Sequence, residues 1–242
     1  MTTQDLQNAS GGSQKVRMSG AGPHNIASGP MLCDCEKSYK NSNTMAANLI
    51  LEGNTLYAAG DLKSALSKYE ESLALQESSY ENSQIEIASA LNNIGLVNRK
   101  LGKTENAMEC YIRALNIKRQ ALGNKHGDVA VLLHNIGSVH ADRKEFAQAI
   151  DYFGQALQLS SETLGGAHIA VANTLNNIGI VHFQKQEYAE AEICCSQALE
   201  IYRNAGLSES NRALLRTRRI WAKAKCKLQQ EQGGSGVGLY GC

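Results

Sequence analysis

The chain has 242 residues, 43% of them hydrophobic and 19% charged, with a formal net charge of +1. That is enough apolar material for one large folded unit or two small ones, and it excludes disorder throughout. Its only prolines, Pro23 and Pro30, leave everything from Met31 onward free of the residue that a helix interior rejects, while an aromatic content of 5% with one Trp is low for a β-sandwich or barrel; the composition favours long α-helices.

Residues 1–43 carry five glycines, both prolines and no apolar period, so they are expected to form a disordered N-terminal arm. Nothing there resembles the apolar core of a signal peptide, and no later stretch reaches about 18 uninterrupted apolar residues. A soluble, cytoplasmic protein is expected. The seven cysteines fit that compartment as reduced thiols. Cys33 and Cys35, with His24 nearby, and the adjacent Cys194 and Cys195 do not make paired C-x-x-C motifs at zinc spacing, so neither a metal nor a cofactor is expected.

From residue 44 the chain repeats itself. The segments Leu91–Gly95 (LNNIG), Leu133–Gly137 (LHNIG) and Leu175–Gly179 (LNNIG) recur every 42 residues, and one further step back reaches Gly53. Columns in this frame read Gly53, Gly95, Gly137, Gly179; Ala65, Ala107, Ala149, Ala191; and Tyr69, Tyr111, Phe153, Cys195. Within each copy the apolar residues follow i, i+3, i+4, i+7 on both sides of a break, so a copy is a helix A, a turn and a helix B. The A helices are predicted near 45–59, 85–101, 127–143 and 169–185, the B helices near 62–79, 104–121, 146–163 and 188–204. The repeats span about 46–87, 88–129, 130–171 and 172–208. A mid-helix glycine costs about 1 kcal/mol against Ala; its fourfold recurrence implies that each A helix lies close against the aromatic or thiol column of its own B helix, with the glycine and alanine columns forming the structural core. Residues 209–230 follow as a basic helix in the position of a fifth helix A, with Leu214 and Trp221 facing inward as a cap, and 231–242 form a flexible Gly-rich tail.

These columns resemble the tetratricopeptide repeat (TPR), and the 42-residue period with its Asn-Asn-Ile-Gly segment is similar to the longer repeats of the kinesin-light-chain type. The proline that often closes such a repeat is replaced by Glu77, Arg119, Ser161 and Arg203, consistent with longer B helices. The resemblance implies an all-α, right-handed superhelical α-solenoid of helix hairpins with a C-terminal capping helix, its concave face lined by A helices. The first 43 residues hold no heptad run of the kind that would join a kinesin heavy chain.

No phosphate loop, zinc-protease or nucleophile-elbow motif occurs, and the histidines recur in repeat columns (His126 with His168, His140 with His182), so the protein is expected to lack enzymatic activity and a small-molecule substrate. The candidate site is instead the concave face. There Asn93, Asn135 and Asn177 form one column and Asn92, His134 and Asn176 its neighbour, although asparagine is poor in helix interiors. In the family resembled, an asparagine at the matching position holds the main chain of a bound peptide. The alternative for these residues is a ladder of hydrogen bonds between adjacent A helices. Asn54 and Ser138 complete the candidate groove. Of the slots with which related proteins hold a chaperone's carboxyl terminus, Asn54 and Asn93 match, but Ile50, Val131 and Asn135 replace the three cations, so that ligand is not implied.

The expected function is a non-enzymatic scaffold or adaptor that takes an extended or helical segment of a partner protein. One alternative is a self-assembling or autoinhibited subunit whose groove holds its own N-terminal arm. Another follows from charge. Residues 45–208 hold 13 basic and 18 acidic residues, and 209–242 hold 7 and 2, so Arg212, Arg216, Arg218, Arg219, Lys223, Lys225 and Lys227 could touch nucleic acid or an anionic membrane.

Overall fold

The computed structural model describes residues 34–78 and 84–232, with side chains from Thr44. All regular structure there is helical: α1 (Asp34–Ala59), α2 (Leu62–Ser78), α3 (Gln84–Lys100), α4 (Thr104–Leu122), α5 (Gly127–Asp142), α6 (Phe146–Leu164), α7 (Ile169–Gln184), α8 (Tyr188–Asn204) and α9 (Arg212–Gln232). The hairpins α1–α2, α3–α4, α5–α6 and α7–α8 stack in chain order into an all-α solenoid that α9 closes. Successive odd helices also meet, α3 with α5, α5 with α7 and α7 with α9, which makes them the inner row.

The predicted helices are present, with one correction at the start. α1 begins at Asp34 rather than near residue 45, so ten residues assigned to the arm are helical. The physical reason is propagation: no Gly or Pro lies between Met31 and Glu52, and adding turns to an existing helix is far easier than starting one. The remaining arm, 1–33, and the tail beyond Gln232 lie outside the described residues.

The core has the packing that the columns imply. Ala65, Ala107, Ala149 and Ala191 are each 0% exposed. A methyl added to Gly53 would stand 2.5 Å from Tyr69 Cε1, to Gly95 2.7 Å from Tyr111 Cε1, to Gly137 2.8 Å from Phe153 Cδ1 and to Gly179 2.7 Å from Cys195 Sγ. These distances lie well inside van der Waals contact, so only glycine permits the approach.

Turns repeat as well. Each hairpin turns through a left-handed residue, Gly60 and Gly102 in the first two copies but Lys144 (φ 61°) and Gln186 (φ 67°) in the next two. The histidine columns have structural work. His126 and His168 cap α5 and α7, Nδ1 accepting from the backbone N–H of Asp128 and of Ala170 at 3.1 Å. His140 and His182 pair through Nδ1 with Glu145 (2.5 Å) and Glu187 (2.6 Å) across the following turn.

α9 starts on an asparagine cap, Asn211 Oδ1 accepting from the N–H of Ala213 at 2.9 Å. Leu214 is fully buried. Trp221, at the glycine column's place in a fifth copy, packs against the α7–α8 core, and its Nε1–H donates to Glu192 Oε1 at 3.1 Å. Lys225 lies over the indole, 5.0 Å from its centroid.

Candidate functional site

Two columns of the inner row bring the candidate polar residues together, and they do so by bonding across repeats. Asn135 Nδ2 on α5 donates to Asn92 Oδ1 on α3 at 2.8 Å. One copy later Asn177 Nδ2 on α7 meets His134 Nε2 on α5 at 3.1 Å. At the end of the stack Thr217 Oγ1 on α9 lies 2.8 Å from Asn176 Oδ1 and from the Ala213 carbonyl oxygen, one hydroxyl proton serving both. A ladder between neighbouring A helices therefore exists, and it accounts for asparagine inside these helices.

His134 is the central rung. Thr174 spends its hydroxyl proton on the Ala170 carbonyl oxygen (3.0 Å), so His134 Nδ1 carries the proton donated to Thr174 Oγ1 at 3.0 Å. Nε2 is then bare and accepts from Asn177. Burial, helped by the positive Arg99, lowers the imidazole from 6.5 to about 4, so the ring is neutral at pH 7. It sits 5.3 Å from the Phe153 ring, between centroids.

The other candidates are placed differently. Asn54 Oδ1 accepts from the Tyr69 hydroxyl at 2.7 Å, which ties it to the core tyrosine of its own hairpin. Ser138 Oγ donates to the His134 carbonyl oxygen at 3.0 Å. Asn93 makes no side-chain hydrogen bond among the described residues. The residue in the ladder position one copy earlier is Ile50, which has no polar atom to offer, and its neighbour Leu51 is 63% exposed.

Two hollows open along this face. One, of about 190 Å³, lies among α3, α5, α7 and α9, with Asn135, Asn177 and Ser138 on its wall beside Arg99, Asp142 and Arg216. Arg99 Nη1 donates to Asp142 Oδ2 at 2.9 Å, while its Nε is shut off from solvent with no partner and its guanidinium lies beside the buried Tyr111 hydroxyl. Burial pushes the Tyr111 phenol well above its ordinary range, the Arg99 guanidinium opposing this. The second hollow, of about 170 Å³, has Asn92 and Asn93 opposite Val131 and the buried Lys118, whose Nζ lies 2.8 Å from Asp128 Oδ2.

Sequence reasoning missed Arg99, Arg216 and the Lys118–Asp128 pair because it followed columns that agree. The usable signal was the opposite one. Arg99 stands in a column with Tyr57, Ala141 and Phe183, and Lys118 in one with Gln76, Ser160 and Tyr202.

The tetratricopeptide-repeat family model matches residues 86–159 and again 128–204. The chain is a tetratricopeptide-repeat protein. Among solved structures, this TPR chain is similar to BtubC (BKLC) from P. vanneervenii, at 17% identity and a TM-score of 0.59 over 86% of this chain and 96% of that one. It is also similar to a kinesin-light-chain-like protein of nearly identical TPR-like repeats from Podosopora anserina, at 14% identity and a TM-score of 0.62 over 79% and 90%. The apo form of RapI aligns at 22% identity and a TM-score of 0.63 over 77% and 65%. No curated protein sequence matches the chain. At these identities the structural likeness speaks for the fold alone. No described helix of the TPR array is long and apolar enough to cross a membrane.

Proposed function

We propose that this TPR protein is a non-enzymatic, cytoplasmic scaffold or adaptor that receives an extended or helical segment of a partner protein along its inner helical row. One observation carries the reading. The ladder spends an amide N–H of Asn135 and of Asn177, holds both side chains in one orientation and leaves each Oδ1 without a protein partner among the described residues, beside an open polar hollow. Acceptors held in advance at repeat spacing suit the N–H groups of an incoming main chain and lower the ordering cost of binding.

The test is affinity purification with the full chain as bait, beside Asn93→Ala and the triple variant Asn93→Ala/Asn135→Ala/Asn177→Ala, with helicity checked by circular dichroism. Asn93 is outside the ladder, so its loss removes a groove group without removing a rung. At least a tenfold fall in partner recovery with the triple variant, and a partial fall with Asn93→Ala, is expected. Unchanged recovery with intact helicity refutes the groove.

A further inference from the structure

We infer that the hollow among α3, α5, α7 and α9 reads an acidic side chain on the bound segment, held between Arg216 of the terminal helix and Arg99 of α3. This rests on the groove reading above and adds the chemistry of the occupant. It also makes α9 part of the binding site rather than only a cap.

The charges on the hollow's wall do not balance. Arg216 lines it and makes no ion pair or hydrogen bond among the described residues. Arg99 lines it too, donates through Nη1 to Asp142, lies beside the Tyr111 hydroxyl and keeps a buried Nε without a partner. Asp142 is the one acid among the lining residues. His134, Asn135, Ser138, Asn177 and Gln184 add polar atoms and no charge at neutral pH. Two guanidinium groups against one carboxylate leave the hollow short of an acid, although the repeat body around it has more acidic than basic residues. A guanidinium presents paired donors that match a carboxylate, and within a partly enclosed polar hollow that pairing is stronger than on open surface.

Both cations stand in columns that hold no other charged residue among the four repeats. Arg99 replaces Tyr57, Ala141 and Phe183 of the other copies, and the Arg216 position is Asn48, Ala90, Leu132 and Thr174 in the four repeats. Residues that recur maintain the solenoid, whereas a pair of cations that converges once distinguishes one point along it.

Charge complementarity therefore points to an Asp- or Glu-bearing stretch of the partner segment proposed above.

The experiment selects a random dodecapeptide display library on the full chain and, in parallel, on Arg216→Gln and Arg99→Gln. Arg216 is exposed, so its variant keeps the fold and decides the outcome even if Arg99→Gln is unstable. Selection on the parent chain is expected to enrich Asp or Glu at one aligned position at least fivefold over the library. Arg216→Gln loses that enrichment while the remaining consensus persists. A synthetic consensus peptide with its acid changed to the amide should bind the parent chain about tenfold more weakly, and bind Arg216→Gln no worse than the acidic peptide does. Enriched peptides without an acidic position, or an acidic preference unchanged in Arg216→Gln, overturn the inference and leave the groove standing. Enrichment of no peptide at all overturns the groove as well. Arg216-dependent binding of a single-stranded RNA 12-mer in place of any acidic peptide also overturns it.

Discussion

Replacing Gly95 by Ala adds one methyl group at a point where the backbone of α3 lies against Tyr111. That methyl would stand 2.7, 2.9 and 3.0 Å from three ring carbons, on a side chain that is 0% exposed. Comfortable carbon contacts begin near about 3.5 Å, so the ring and the helix must part by roughly 0.8 Å. Overpacking of this kind costs about 1–3 kcal/mol. The substitution returns about 1 kcal/mol, because alanine is the better helix former and has fewer unfolded conformations to lose. The net expectation is a destabilisation of up to about 2 kcal/mol. Gly154 on α6 is the control: it is exposed and a methyl there meets nothing within 4 Å, so Gly154→Ala should stabilise by about 0.5–1 kcal/mol. The same chemical change then has opposite signs at two helical glycines of one chain. A solenoid need not unfold in one step, so urea midpoints from circular dichroism are read together with hydrogen exchange of the α3 and α4 amides. A Gly95→Ala midpoint at or above that of the parent protein would refute the close-approach account.

Other consequences can be checked on the same material. Lys144 and Gln186 hold the left-handed conformation that Gly60 and Gly102 hold in the earlier copies, so Lys144→Gly and Gln186→Gly should each raise the midpoint, by about 1 kcal/mol; a fall at either site contradicts the strain. His134 is neutral in the fold and titrates near 4, against 6.5 in the unfolded chain. Its contribution is complete above pH 6.5 and is lost as pH falls from there toward 4, because the unfolded chain takes up the proton first. The loss totals roughly 3 kcal/mol. Urea titrations of the parent protein and His134→Gln between pH 7.5 and 4 should converge as the pH falls, and parallel curves would count against a neutral imidazole in the fold.

The fold was legible in the sequence because the 42-residue spacing constrains many positions at once. A glycine tolerated mid-helix four times, each 16 residues before a Tyr, Phe or Cys, states both the helix pairing and its closeness. The start of α1 was not legible by the same means. Apolar periodicity reports a face that is buried, and a helix can extend beyond its packed face on propensity alone.

The candidate site was half legible. The polar columns stand where they were expected, yet spacing alone could not say whether Asn92, Asn135 and Asn177 bond to one another or stay open. Both outcomes use the same residues at the same interval. The answer depends on how closely α3, α5 and α7 approach, which brings Asn135 within 2.8 Å of Asn92 and leaves Asn93 outside the ladder.

The sequence by itself determined that this is a helical-repeat chain, where its hairpins turn, and which small residues lie at each helix contact. Those properties are local or recur at fixed intervals, and the amino-acid pattern carries them directly. Tertiary structure alone decided that His134 is a half-buried neutral rung, that Asn54 serves Tyr69, and that Arg99 and Arg216, 117 positions apart, line one hollow. The physical reason is that the curvature of the stack sets distances between non-adjacent copies. It accumulates from every interface, and no single column of the sequence records it.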